Sequence, residues 1–299
     1  MNRRQLIIGS AASAVLVACA GSSGSSNSEG GSNDGTPGLA PVQLIPGFDA
    51  QAINPGVLAA GRPQRAPFVL LESDGVPLTD GPDNIEIVLT DASGSTVGTY
   101  SAAKHDIGIP NPYYPLLFTV DAAGTYTAST SVDGIDSNWN FSVAEAGNVP
   151  LAQIGDQMVP VPTPTEKSPL DTAPLCTRKP ACAFHGVSHA DTVGTGRPTA
   201  LLVSTPAFCQ TVICGPVLDL LITESEARPD MDFVHAEVYK DAEAIGNVSG
   251  ATLTEAVTIV GAGLFEPTLI VTDGDGMVTA RLDFTFDRDE LAEALASAS

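Results

Sequence analysis

The chain has 299 residues, with 35 Asp and Glu against 13 Lys and Arg and a formal net charge of −22. Acidity on that scale opposes attraction to phosphate backbones and anionic lipid headgroups, so no nucleic-acid partner is expected and solubility in salt is favoured. Hydrophobic residues make up 43% of the sequence, enough to fill globular cores.

The N-terminus sets the expected compartment. Arg3 and Arg4 precede an apolar run from Leu6 to Val17 that is too short to span a bilayer and leads to Cys19. Leu16-Val17-Ala18-Cys19 resembles a bacterial lipobox, which implies a lipoprotein signal peptide over residues 1–19 and lipidation at Cys19. The RRQLII run also resembles a twin-arginine export signal. Residues 20–40 are nearly all Ser, Gly, Asn and acidic, with almost nothing apolar to bury, and read as a flexible Ser/Gly linker. The lipobox thus implies an extracytoplasmic protein, lipid-anchored to a membrane of the bacterial cell envelope. About 260 residues remain, a length that points to two domains.

Residues 41–147 carry short alternating or apolar runs, among them APFVLLES, NIEIVLTD, YPLLFTV, GTYTASTSV and NWNFSVAEA, separated by Gly, Pro, Asp and Asn. A period of two repeated in this way predicts an all-β sandwich with one buried and one solvated face per sheet. Asp121-Ala-Ala-Gly124-Thr-Tyr126-Thr-Ala128 resembles the corner that opens strand F of immunoglobulin-like domains, with Ala128 where an antibody domain has its cysteine. The resemblance implies an immunoglobulin-like sandwich. His105, between Lys104 and Asp106, reads as a solvated loop residue.

A proline-rich passage opens the second domain, assigned to residues 148–299 with its core at 196–298. PTALLVST (198–205) predicts a strand buried on both faces, and Val217, Leu218, Leu221 and Ile222 recur at helical spacing. MDFVHAEVY predicts a strand, TLTEAVTIV a helix, and EPTLIVTDGDGMVTARLDF a hairpin. DRDELAEALAS predicts a closing helix with Asp287 and Glu290 spaced as a capping box.

The stretch STPAFCQTVICGPVLDLLI places Cys209 and Cys214 between strand and helix, where unpaired N–H groups and the macrodipole favour a thiolate. Three features here resemble the thioredoxin superfamily: LLVST leading to Cys209, the Cys214-Gly215-Pro216 run, and Pro267-Thr268 before LIV. The resemblance implies an α/β thioredoxin-like fold for the second domain, with Pro267 cis beside the thiols. It further implies thiol–disulfide exchange with protein thiols or disulfides of the envelope, Cys209 as nucleophile and Cys214 as resolving thiol. Val217 stands where the family has its second cysteine, so either Cys214 or Cys209 can occupy the first position. Cysteines five apart on a straight helix are too distant for a disulfide, but Pro216 either kinks the helix or sits in its first turn. TPAFCQTVICG also resembles a peroxiredoxin subgroup, the bacterioferritin comigratory proteins, which implies thiol peroxidase activity as a third possibility. Against it, Pro206 replaces that subgroup's threonine, and its arginine is missing near Pro267, Arg281 being the nearest candidate. Sco-type copper chaperones use a different cysteine spacing.

In LCTRKPACAFHGVSHAD, Cys182, His185 and His189 have metal-like spacing and Cys176 could complete a site. A structural disulfide between Cys176 and Cys182 needs only two of these residues in an oxidising space, so that pairing is expected and no metal or cofactor is assigned. Ser188 is expected to cap a short helix with His189 exposed, and His235 to be structural. The leading expectation is therefore a membrane-anchored thiol-disulfide oxidoreductase; the alternative is a non-catalytic cell-envelope binding lipoprotein with structural disulfides.

Overall fold

The computed structural model describes residues 58–72, 74–207, 213–242, 251–260 and 266–299, with the backbone of Gln43–Pro46. The expected signal peptide, Cys19, the linker and Cys209 lie outside the described residues. Among the described residues, no helix is long and apolar enough to cross a membrane.

The expected sandwich is present in the N-terminal half. One antiparallel sheet runs β1-β2-β5, from Gln43–Pro46, Gln64–Leu71 and Tyr114–Phe118. The other runs β4-β3-β6-β7, from Thr96–Ala103, Asn84–Asp91, Gly124–Val132 and Ile135–Val143. Alternation sends Phe68, Leu70, Leu116 and Phe118 of the first sheet against Ile85, Ile87, Leu89, Ala128 and Phe141 of the second, while their sequence neighbours face outward. At the start of β6, the Tyr126 hydroxyl donates to the Ala122 carbonyl at 2.7 Å, as the corner motif predicts.

The C-terminal half holds a sheet ordered β11-β10-β8-β9, from Val278–Asp283, Thr268–Thr272, Thr199–Val203 and Asp232–Ala236. β8 and β10 are buried at every position, as their unbroken apolar runs predict. On one face, Leu202 and Leu269 pack under helix α2 (Cys214–Ser225) and helix α4 (Arg288–Ala296). On the other, Leu201 and Ile270 pack under helix α3 (Glu255–Val260) and the Met158–Val161 segment. Pro216 is the third residue of α2, in the first turn, where its missing N–H has no intrahelical partner to lose.

Strand and loop, rather than an even alternation of strand and helix, make up the molecule, and the expected α/β thioredoxin-like fold for residues 148–299 is corrected on that ground. The described residues are mostly β, with few helices. Beside the 12-residue α2, α3 spans 6 residues, α4 9 and α1 (His189–Thr192) only 4. Only β8 and β9 pair in parallel among the named strands; the other pairings are antiparallel. The prolines between Pro150 and Pro198 account for much of the scarcity, because each fixes φ and removes a donor. As a result, α1 is the only α-helix between the sandwich and β8.

A buried polar cluster fastens the sandwich to α4. Arg65 of β2 donates to both Glu290 oxygens at 2.5 and 2.6 Å and to the carbonyls of Asp283 and Thr285. Tyr113 donates to Glu290 and accepts from the Asp287 amide. Asp287 caps α4 through the Glu290 amide at 3.0 Å, as its spacing predicts. Its carboxylate also holds His105 Nδ1 at 2.8 Å, so His105 is a fastening residue and not the solvated one expected. Burial lowers the His105 pKa, but the hydrogen bond and charge of Asp287 outweigh it and leave the pKa raised. Burial raises that of Asp287, and the His105 and Glu290 hydrogen bonds bring it below the usual carboxylate range.

Candidate metal centre

Strand β9 supplies the first half of the site by alternation. Val234, Ala236 and Val238 face the α3 side of the core, so His235 and Glu237 face the opposite side, toward the 176–185 loop. That loop has no regular structure of its own and is held against β9 by polar contacts. The His235 amide donates to the Phe184 carbonyl at 3.2 Å, and the Thr177 amide and hydroxyl donate to Glu237 Oε1 at 2.6 and 3.0 Å. The Phe184 and Phe233 rings stack at 5.5 Å beside them. Cys176, Cys182, His185 and His235 are thereby brought together, with one ligand atom of each lying within 4.8 Å of all the others.

The expected Cys176–Cys182 disulfide is not formed, and that expectation is corrected. Both cysteines are free thiols, with their sulfurs 3.7 Å apart. Two imidazoles converge on the same space: His185 Nε2 lies 3.3 Å and His235 Nδ1 3.6 Å from Cys182 Sγ, and the two nitrogens are 3.4 Å from each other. His235 Nε2 lies 3.1 Å from the Ser204 carbonyl, which makes Nε2 the protonated nitrogen and leaves the Nδ1 lone pair facing the thiols. The assignment of no metal is revised with it, since a pair of nitrogens and a pair of sulfurs now share one small, buried space.

The spacing matches tetrahedral coordination. The edge of a tetrahedron is about 1.63 times the centre-to-vertex length, so bonds of about 2.3 Å to sulfur and about 2.05 Å to nitrogen give edges of roughly 3.75 Å for S–S, 3.55 Å for S–N and 3.35 Å for N–N. Four of the six edges, at 3.7 Å, 3.3 and 3.6 Å, and 3.4 Å, lie within a few tenths of these values, and all six are within 4.8 Å. A hydrogen bond from Cys182, aided by His185 and His235, holds the Cys176 thiol well below the usual range, whereas Cys176 and burial push Cys182 up. Burial pushes Glu237 up to about 8, and its Oε2 has no hydrogen-bond partner.

Cys214 is disulfide-bonded, wholly buried and the first residue of α2. The Glu266–Pro267 peptide is cis and precedes β10. The Thr205 amide donates to Glu266 at 2.8 Å, and the Ala207 amide to Thr177 at 2.9 Å, so the segment leading toward the second thiol pair is tied to the metal loop. His189, expected at the surface, is buried; its Nδ1 accepts from the Val161 amide, and burial pushes its pKa down to about 4. Ser188 makes no side-chain cap on α1 and instead accepts from the Thr163 amide. His235 and Glu237 were the functional residues missed. The available signal was a histidine and a glutamate two apart, His235 and Glu237, alternating with Val234, Ala236 and Val238 at and just past the buried end of β9.

No family model and no curated protein matches the chain. Among solved structures, the chain is similar to the PKD domain of the human VPS10 domain-containing receptor SorCS2, at 17% identity and a TM-score of 0.20. The likeness covers 42% of this chain and 97% of that one and is too slight to bear on fold or function.

Proposed function

We propose that the chain is an extracytoplasmic, lipid-anchored metal-binding protein whose C-terminal half is organised around a zinc ion held by Cys176, Cys182, His185 and His235. The observation that carries this reading is the convergence of these four ligand atoms within 4.8 Å of one another, with four of their six mutual distances close to the edges of a zinc tetrahedron. Two thiolates neutralise a divalent cation, so the loaded site brings no net charge into the interior; a monovalent ion would leave an uncompensated negative charge there. Zinc accepts a tetrahedron without a preference of its own, whereas Cu²⁺ and Ni²⁺ favour tetragonal arrangements. Four protein ligands leave no open position, which favours a structural role for the ion over a catalytic one. The whole molecule then fits a non-catalytic cell-envelope binding protein, with the sandwich, immunoglobulin-like by its Tyr126 corner, as the partner-binding half.

Co²⁺ substitution tests this. The purified mature chain should take up one Co²⁺ with the thiolate-to-metal absorption of a two-sulfur tetrahedral site, and Zn²⁺ should displace it. Uptake without thiolate absorption, or equal uptake by a C176S/C182S chain, would overturn the assignment.

A second reading is thiol–disulfide exchange through Cys209 and Cys214. The disulfide at Cys214, on the first residue of a helix, supports it. The complete burial of Cys214 weighs against attack on its sulfur by a partner thiol.

A further inference from the structure

We infer that Cys176 and Cys182 form a redox-released metal site: hydrogen peroxide converts the two ligand sulfurs into a disulfide and expels the ion. This rests on the metal reading above and adds to it a regulated state of the same site.

Geometry carries the inference. The sulfurs are 3.7 Å apart, and the Cys182 amide donates to Cys176 Sγ at 3.5 Å. A disulfide of about 2.05 Å needs them to approach by roughly 1.7 Å, within reach of side-chain rotation and a small loop adjustment. The loop that must adjust is short: Lys179, Pro180 and Ala181 are exposed, and Arg178 donates to Asp219 and to the Pro180 carbonyl. Both cysteines are buried but not sealed, Cys176 at 7% and Cys182 at 9% exposed.

The chemistry balances without a further reactant. One thiolate attacks a peroxide oxygen, the O–O bond breaks, and a sulfenic acid and hydroxide form. The second thiolate then attacks that sulfur, the S–S bond forms and a second hydroxide leaves. Two electrons pass from the sulfurs to the peroxide, both hydroxides take protons from solvent to give water, and the metal ion departs with its valence unchanged. The two sulfurs cannot be bonded to each other and remain full ligands, and His185 and His235 alone leave a two-nitrogen site too poor to retain the ion.

The test uses the mature chain carrying one equivalent of Zn²⁺, its content measured before oxidant is added. Hydrogen peroxide is then titrated in with a colorimetric zinc chelator present, and cysteine peptides are mapped by mass spectrometry. Release of one ion per chain in step with a 176–182 disulfide, reversed by dithiothreitol and unchanged in C214S, is the expected result. Retention of the ion in excess peroxide, or release with both cysteines recovered as thiols or sulfinic acids, overturns the redox inference and leaves the metal reading intact. A chain that holds no Zn²⁺ before oxidant overturns both.

Discussion

His235 has its lone pair aimed by a backbone group rather than by a side chain. Because Nε2 bonds the Ser204 carbonyl, Ser204→Ala removes only the hydroxyl 3.1 Å away and keeps the tautomer. S204A is therefore expected to change Co²⁺ affinity by less than about tenfold, while His235→Gln should lower it by more than about a hundredfold in the same competition titration. The His105–Asp287 pair makes a different residue-scale prediction. The raised folded pKa of His105 contributes stability that is full below its unfolded value, about 6.5, and is lost as pH rises through the folded value. The depressed folded pKa of Asp287 contributes stability that is full above its unfolded value, about 3.9, and is lost as pH falls through the folded value. Both contributions are complete only between about pH 4 and 6.5. Urea denaturation should show the stability of wild type relative to His105→Gln falling from that window toward pH 8; a difference independent of pH would contradict the pairing.

At the scale of elements, α4 is one place where the two halves of the described chain are joined, beside the Arg62–Asp156 and Gln64–Gln153 contacts. Arg65→Ala leaves Glu290 buried without its partner and is expected to cost about 3–5 kcal/mol in chemical denaturation, whereas the Arg65→Met, Glu290→Leu double variant should recover much of that loss. Tyr126→Phe, which removes only the corner hydrogen bond, should cost about 0.5–1.5 kcal/mol. These elements also show what could be read from sequence. The Asp287 cap, the Tyr126 corner and the buried strands β8 and β10 were legible because each depends on residues within a few positions of one another, whereas Pro216 was left between a kink and a first-turn position. The Arg65–Glu290 pair was not, since its members lie 225 residues apart and neither carries a local signature. Loop 176–185 was half legible. Its Cys-His spacing pointed to metal, yet His189 turned inward to serve Val161, and the fourth ligand came from β9, which only the parallel pairing of β9 with β8 places nearby.

For the whole molecule, the long passage between the sandwich and β8 has little secondary structure to hold it, so its order depends on cross-links to the sheet. Polar contacts to β9 supply part, and a bound ion would supply more by stabilising the folded state in proportion to its occupancy. Chelation should therefore lower the melting temperature and open residues 176–185 to proteolysis before the sandwich yields. The overall fold was legible in its β-sandwich half. In the other half, buried strands beside helical spacing read as an α/β domain, while the prolines that keep this passage in loop carried too little weight. The most direct test of the metal centre is X-ray absorption at the zinc edge of the loaded mature chain. Two sulfur neighbours near 2.3 Å and two nitrogen neighbours near 2.0 Å, about the distances of a Cys₂His₂ zinc site, are the predicted result. A first shell of oxygen and nitrogen without sulfur would contradict it.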